Sequence, residues 1–252
     1  MDIPLFPLRT VLCPGVALPL HIFEPRYKLM VDRCLENGSP FGVVYIRDGH
    51  EVGAGELSVA AIGSVATIRE AGRYPDGRFD LLVVGTGRFA IDAVDTEREP
   101  YLTATVTELG DELGDAERAG RLANRAMRRF VTYLRLLRPQ EGETGEEIDV
   151  RVEVDAMADT ADPEEAAPIE ATEEPGGARR RLLIPDDPTV LSYLLAGILQ
   201  IELPRRQALL EAETTEERLE LLDALLDREL WLLRRRLRLF NAASGVPVPR
   251  RS

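Results

Sequence analysis

One lysine, two cysteines, two histidines and one tryptophan are all that these 252 residues hold of those types. Each scarcity removes a class of chemistry. The lone lysine, Lys28, lies between Glu24-Pro25-Arg26-Tyr27 and Leu29-Met30. A nucleotide-phosphate loop needs glycines leading into Lys-Ser or Lys-Thr, and a Ser-Lys hydrolase needs its lysine beside a nucleophile. Lys28 has neither setting. Cys13 and Cys34 are too few for a disulfide framework and lack C-x-x-C spacing, so they read as buried thiols. His21 and His50 supply no H-E-x-x-H pair, and His50-Glu51 runs on into Val52-Gly53. No metal and no cofactor is therefore expected. No apolar run reaches the roughly 20 residues of a spanning helix, and no basic leader precedes an apolar stretch. The expectation is a cytoplasmic protein that does not meet a membrane.

What is present is carboxylate. The net charge is -13, and all of it resides between Pro139 and Ala178, where 14 acidic residues face a single arginine. The rest of the chain is balanced. With no positive excess to displace counterions, nucleic-acid binding is not expected.

Along the chain, residues 1–110 read as β-rich. Short runs rich in Val, Ile and aromatics occur at Phe41–Ile46, Leu57–Val65, Phe79–Val84, Phe89–Val94 and Tyr101–Val106. Tyr74-Pro75-Asp76-Gly77-Arg78 suits a hairpin tip. Without crossover helices between them, these strands suit a meander or partly closed barrel. One helix interrupts: Pro25 fits its first position, Tyr27, Met30, Val31, Cys34 and Leu35 share a side, and Asn37-Gly38 stops it. It is expected to plug one end of the barrel.

Residues 111–138 carry helical spacing at Leu122, Ala126, Phe130, Val131, Leu134 and Leu137, predicting a first bundle helix from about Glu112 to Arg138. The acidic insertion 139–181 offers little apolar area against the entropy of ordering and is expected to be mobile. Within it, Ile148, Val150, Val152 and Val154 alternate as an edge strand or anchoring contact would. A helical bundle is expected over 182–243. Asp187 caps a helix opening at Pro188, a shorter helix spans Arg205 to Leu210, and Thr214 with Glu217 matches a capping box. The last helix bears Leu219, Leu222, Leu226, Leu230, Leu233, Leu237 and Phe240, a stripe that closes a bundle or forms a seam with another chain. Arg234, Arg235, Arg236 and Arg238 favour its C-terminal dipole. Residues 244–252 read as a flexible tail. The class is α+β: a barrel-like β part with one helix, then an α-helical bundle.

Pro4-Leu5-Phe6-Pro7-Leu8, Val11-Leu12-Cys13-Pro14-Gly15 and Leu18-Pro19-Leu20-His21-Ile22-Phe23-Glu24-Pro25-Arg26-Tyr27, read together, resemble the N-terminal substrate-binding domain of Lon proteases. The likeness continues through Phe41-Gly42-Val43-Val44, the Gly53 turn, Asp76-Gly77-Arg78, Val84-Gly85-Thr86-Gly87-Arg88-Phe89, Gln207-Ala208-Leu209-Leu210-Glu211 and Glu217-Arg218-Leu219. It implies a PUA-like β part followed by helices. It also implies a stand-alone bacterial member without the ATPase and peptidase domains that follow in a full Lon protease.

The implied function is non-catalytic binding of unfolded or exposed apolar polypeptide segments, in an adaptor or regulator of proteolysis with an ATP-dependent protease as candidate partner. An apolar crevice between the β part and the bundle is the expected seat. Phe23, Arg26 and Tyr27 are candidate peptide-binding residues: aromatics grip apolar side chains and Arg26 reads a carbonyl or carboxylate. The same three also suit a scaffold, with Phe23 and Tyr27 over an apolar seam and Glu24 paired to Arg26. No catalytic residue stands out. Two alternatives remain: a structural or regulatory protein, monomer or weak homodimer, self-associating through its C-terminal helix; and a small hydrolase of unrecognised type.

Overall fold

The computed structural model describes residues 1–48, 58–137 and 185–243. The expectations for His50, the Gly53 turn, the acidic insertion with its alternating valines, and the tail lie outside the described residues. The elements are β1 (Asp2–Leu8), β2 (Ala17–Ile22), α1 (Pro25–Asn37), β3 (Phe41–Asp48), β4 (Ser58–Val59), β5 (Ile62–Arg73), β6 (Phe79–Asp95), β7 (Thr103–Leu109), α2 (Ala116–Leu137), α3 (Pro188–Ile198), α4 (Leu203–Glu211) and α5 (Thr215–Ala243).

The architecture is α+β, with a largely antiparallel, ring-like sheet and helices after it. Pairing runs β1–β7–β6–β5–β3 and returns from β3 to β1 through a parallel contact that sets Leu5 against Gly42 and Leu8 against Tyr45. Ile3, Leu5, Val44, Phe89, Ala104 and Val106 form a common core cluster of these strands. Phe89 is the large member, and Gly42 and Gly63 make room for it. A Cβ on either glycine would stand 2.7 or 2.6 Å from the Phe89 ring.

Two strand expectations are corrected. The runs read as strands begin at Phe41, but the proline-punctuated opening also pairs, with Asp2–Leu8 and Ala17–Ile22 both strands. Phe79–Val84 and Phe89–Val94 are one continuous strand, β6. The Gly85-Thr86-Gly87 step between them is no turn. Gly85 exchanges backbone hydrogen bonds with Gly15 and Val16 at 2.8 and 3.1 Å. A Cβ there would lie 2.4 Å from the Cys13 carbonyl oxygen, so the glycine serves a close crossing of two backbones.

β2 pairs the first half of β6, whose other edge holds the far half of β5, making a three-stranded arm. α1 covers this arm with Tyr27, Met30, Val31 and Cys34 against Ile22, Phe79, Leu81 and Val83. The hairpin tip forms where the sequence predicts it: Tyr74 N–H bonds to Arg78 carbonyl and Gly77 N–H to Tyr74 carbonyl, each at 2.9 Å.

The helices begin at local signals. Asp187 accepts hydrogen bonds from the backbone of Thr189 and Val190 at 2.7 and 3.1 Å, with Pro188 opening α3. At α5, Thr214 Oγ1 accepts from Glu217 N–H at 3.1 Å, while Glu217 returns to Glu213 N–H at 2.9 Å, one residue earlier than the expected box. α2 starts at Ala116 rather than Glu112, because Glu112 gives its carbonyl to Thr215 N–H at 2.8 Å.

α2 and α5 run in the same direction. Arg118 pairs with Glu216 and Glu220, Arg125 with Asp223, and Arg129 with Asp223 and Asp227, so numbers rise together on both helices. Between them lie Leu122, Ala126 and Phe130 of α2 and Leu219, Leu222, Leu226 and Leu230 of α5, all buried. The leucine stripe is thus bundle core through Leu230. Leu233 packs partly buried beyond it.

Candidate functional site: an exposed aromatic tip and a buried arginine junction

Burial separates the three residues predicted to meet a peptide. Tyr27 is only 2% exposed, and its ring meets Phe6 edge-on at 4.4 Å between centroids. Arg26 is engaged locally: its Nη2 lies 2.9 Å from Glu24 Oε2, and its guanidinium stands 4.6 Å from the Tyr27 centroid. Phe23 alone faces water, 61% exposed, at the junction between β2 and α1.

Phe23 does not stand alone at that surface. The His21 ring stacks beside it at 6.3 Å, and Tyr74 from the hairpin tip meets His21 edge-on at 6.3 Å. Asp80 ties the group together, with Oδ1 2.6 Å from His21 Nδ1 and Oδ2 accepting from the Tyr74 hydroxyl. Cross-strand register makes this possible, because His21 on β2 is paired with Asp80 on β6. Arg78 lies 5.3 Å from the Tyr74 centroid and is itself fixed to Asp76 at 2.7 Å. The solitary lysine, Lys28, reaches the Asp76 carbonyl at 3.3 Å, linking α1 to the hairpin.

The electrostatics of the tip favour contact over chemistry. Hydrogen bonds from His21 and then Tyr74 hold the Asp80 carboxyl below its usual range. The bond to Asp80 pushes the Tyr74 phenol upward. A nucleophilic hydroxyl needs the opposite displacement. Among the described residues, no group of three or more His, Cys, Asp or Glu is placed to hold a metal ion.

Between the sheet and the helices, where a crevice is expected, part of the contact is closely packed. Val11 and Cys13 from the segment before β2 belong to the helical core, with Val16, Tyr45 and Ile62 packed against it. Gly197 of α3 meets Val16 so closely that a Cβ there would stand 2.5 Å from its methyl.

Buried arginines pin this contact. Arg88 of β6 donates to the carbonyls of Leu210 at 2.9 Å, Ala212 at 2.6 Å and Gly110 at 3.1 Å, and meets Asp111 at 3.0 Å. Arg218 of α5 donates to Leu209 carbonyl at 3.1 Å and Ser192 Oγ at 3.0 Å. It also stacks 3.8 Å over the Tyr193 ring, and the Tyr193 hydroxyl donates to Asp111. Burial drives the Arg218 pKa down and the Tyr193 pKa up. Neither arginine stood out in the sequence except as a letter of the resemblance. No neighbour marks either one, since Arg88 stands between Gly87 and Phe89 and Arg218 between Glu217 and Leu219.

A ring-like sheet whose aromatic arm projects one phenylalanine, locked by buried arginines to a helical bundle, defines an α+β domain built around a surface. The model of the ATP-dependent protease La (LON) substrate-binding domain matches residues 2–228. The chain belongs to that family. It is 33% identical over 116 residues to the Lon protease of Flavobacterium johnsoniae, covering 46% of this chain and 14% of that one. With the Lon protease of Escherichia coli K12 it shares 23% identity over 242 residues, 96% of this chain and 26% of the other. The chain thus spans about a quarter or less of these relatives' length. Among solved structures, a Lon N-terminal domain protein from Xanthomonas campestris superposes with a TM-score of 0.56 at 24% identity, over 89% of this chain and 98% of that one. The N-terminal domain of Mycobacterium avium complex Lon protease gives 0.50 at 18% identity, over 90% and 98%. Both share the fold. No helix among the described residues is long and apolar enough to cross a membrane.

Proposed function

We propose that this protein is a non-catalytic polypeptide-binding module and that unfolded or exposed apolar segments dock at the Phe23 tip. The single observation behind this reading is the exposure of Phe23 on a tip braced by His21, Tyr74 and Asp80. An aromatic ring presented by a braced surface loses little entropy when it meets an apolar side chain. Membership of a substrate-binding family supports the ligand class. Arg26, paired with Glu24, stands at the edge of the docking surface, and Tyr27 supports it from the core. Binding measured by fluorescence anisotropy with a permanently unfolded, carboxymethylated model protein tests the proposal. Phe23→Ser should weaken binding about 10-fold, the loss expected for one central aromatic anchor, with the melting temperature unchanged. Equal affinity in the variant sinks the reading.

The finer role is that of an adaptor or regulator of proteolysis, placed in the cytoplasm, and the protease names of the relatives support its link to proteolysis. Its test is whether the protein changes the rate at which an ATP-dependent protease degrades the same unfolded chain, and whether Phe23→Ser abolishes the change.

A further inference from the structure

Beside the Phe23 tip, β2 keeps one edge open. It pairs with β6 alone, so among the described residues no strand lies along its other side. One bond gives the phase of that ladder: Gly85 N–H donates to the Val16 carbonyl at 3.1 Å, with Ala17 set against Val84. In an antiparallel pair, bonded and non-bonded positions alternate. Leu18, Leu20 and Ile22 therefore direct their amides and carbonyls to β6, and Ala17, Pro19 and His21 turn theirs outwards. Pro19 agrees with this phase, because a proline in a sheet sits where its missing N–H would face away from the ladder. Side chains alternate too. Leu18 and Leu20 pack with Ile22 beneath α1, while Pro19 and His21 are exposed, on the side where the Phe23 ring stacks with His21.

We propose that an unfolded client segment docks here as an added strand, antiparallel to β2. The inference rests on the reading of the Phe23 tip as a binding surface, and it gives the client its conformation and direction. A row of outward amides and carbonyls is matched by another extended main chain, and such bonds are indifferent to the client's sequence. Client residues opposite Ala17, Pro19 and His21 bond to them through the main chain and carry their side chains on the Pro19–His21 face, towards Phe23. Apolar residues at alternate client positions thus meet the aromatic tip. Pro19 also disfavours a second copy as the occupant. The register that overlaps two β2 edges fully sets Pro19 against Pro19, carbonyl facing carbonyl with no donor between them. A client residue at that position supplies its own N–H.

The probe is a labelled peptide of alternating valine and serine, about the length of β2, measured against the intact protein by fluorescence anisotropy. N-methylation at its valines removes the N–H groups that face β2 and should weaken binding at least about 10-fold. N-methylation at its serines, whose N–H groups face away, should change affinity less than about 2-fold. Amide hydrogen exchange followed by NMR reads the edge itself: the Ala17 and His21 amides should exchange fast in the free protein and slow at least about 10-fold when the unmethylated peptide saturates it. No measurable binding of that peptide overturns the proposal, as do equal affinities for the two methylated peptides or a loss confined to the serine-methylated one. Ala17 and His21 amides that stay fast in the complex, or are already protected in the free protein, overturn it too. If Phe23→Ser weakens binding of the unmethylated peptide while both methylated peptides bind alike, the tip stands as a docking site and only the added strand falls.

Discussion

Two clusters in this molecule are assembled from the same parts, a tyrosine hydroxyl, one carboxylate and nitrogen-bearing side chains, and they differ chiefly in water. At the junction, Tyr193, Asp111, Arg88 and Arg218 sit between sheet and helices, with both guanidinium groups buried. At the tip, Tyr74, Asp80 and His21 bond in a similar pattern on an open surface. In the first cluster every group is held by several others, and two cations share one carboxylate with backbone carbonyls. That cluster determines how the two halves sit together. In the second, water competes for every bond, so the cluster contributes shape to the surface more than stability to the fold. Similar parts therefore do scaffold work when the cations are buried and presentation work when the cluster is open to water.

The sharpest way to break the comparison is to remove one guanidinium from the dry cluster. Arg218→Ala takes this donor from the Leu209 carbonyl and Ser192 Oγ, removes one of the three partners of Asp111 and opens space beneath Tyr193. A buried polar group left without its partner costs about 1–3 kcal/mol, and chemical denaturation should register a loss of at least that order. A midpoint close to wild type would show that the junction is not the lock it resembles.

Alkali should separate the clusters next. Burial raises the Tyr193 phenol and carries the Cys13 thiol to about 11, against ordinary values of 10.0 and 9.0. A raised folded pKa means full stability below the unfolded pKa and a loss as pH rises through the folded one. Thermal midpoints should therefore fall from pH 9 upwards as the unfolded chain gains charge that the folded one resists. Tyr193→Phe should be less stable at pH 7, through the lost bond to Asp111, yet decline less steeply between pH 9 and 11. Parallel slopes for variant and wild type would remove the tyrosine from the account.

Local signals carried much of this fold in the sequence, and long-range ones were silent. Pro25 and Asn37-Gly38 bounded α1, Asp187-Pro188 opened α3, and Tyr74–Arg78 made the hairpin, because each depends on a few adjacent residues. Closure of the sheet through β1 and β3 depends on a parallel pairing across about forty residues, and no periodicity records it. The sequence shows β6 as two apolar runs, and nothing local reveals that Gly85 between them lies against the Cys13 carbonyl. Phe23 was legible as a candidate from its place in an aromatic motif. Its partners were not, since His21 and Asp80 meet through the β2–β6 register. Nothing in the sequence singles out Arg88 and Arg218, because it does not display which arginines the fold will cover.

The smallest effect is expected at the wet cluster, and it sharpens the comparison from the opposite side of the pH scale. The Asp80 carboxyl is held below its ordinary value by His21 and Tyr74. A lowered folded pKa contributes stability above the unfolded pKa and loses it as pH falls through the folded one, so this contribution fades below about pH 4. Because every member is exposed, Asp80→Asn should move the thermal midpoint at pH 7 by less than about 2 °C. The variant should nonetheless loosen the His21 and Tyr74 rings beside Phe23, so binding of the unfolded model protein should weaken by a few-fold without a matching loss of stability. Stability and binding falling together would mean that the tip is part of the scaffold after all, and the distinction between the dry and wet clusters would fail.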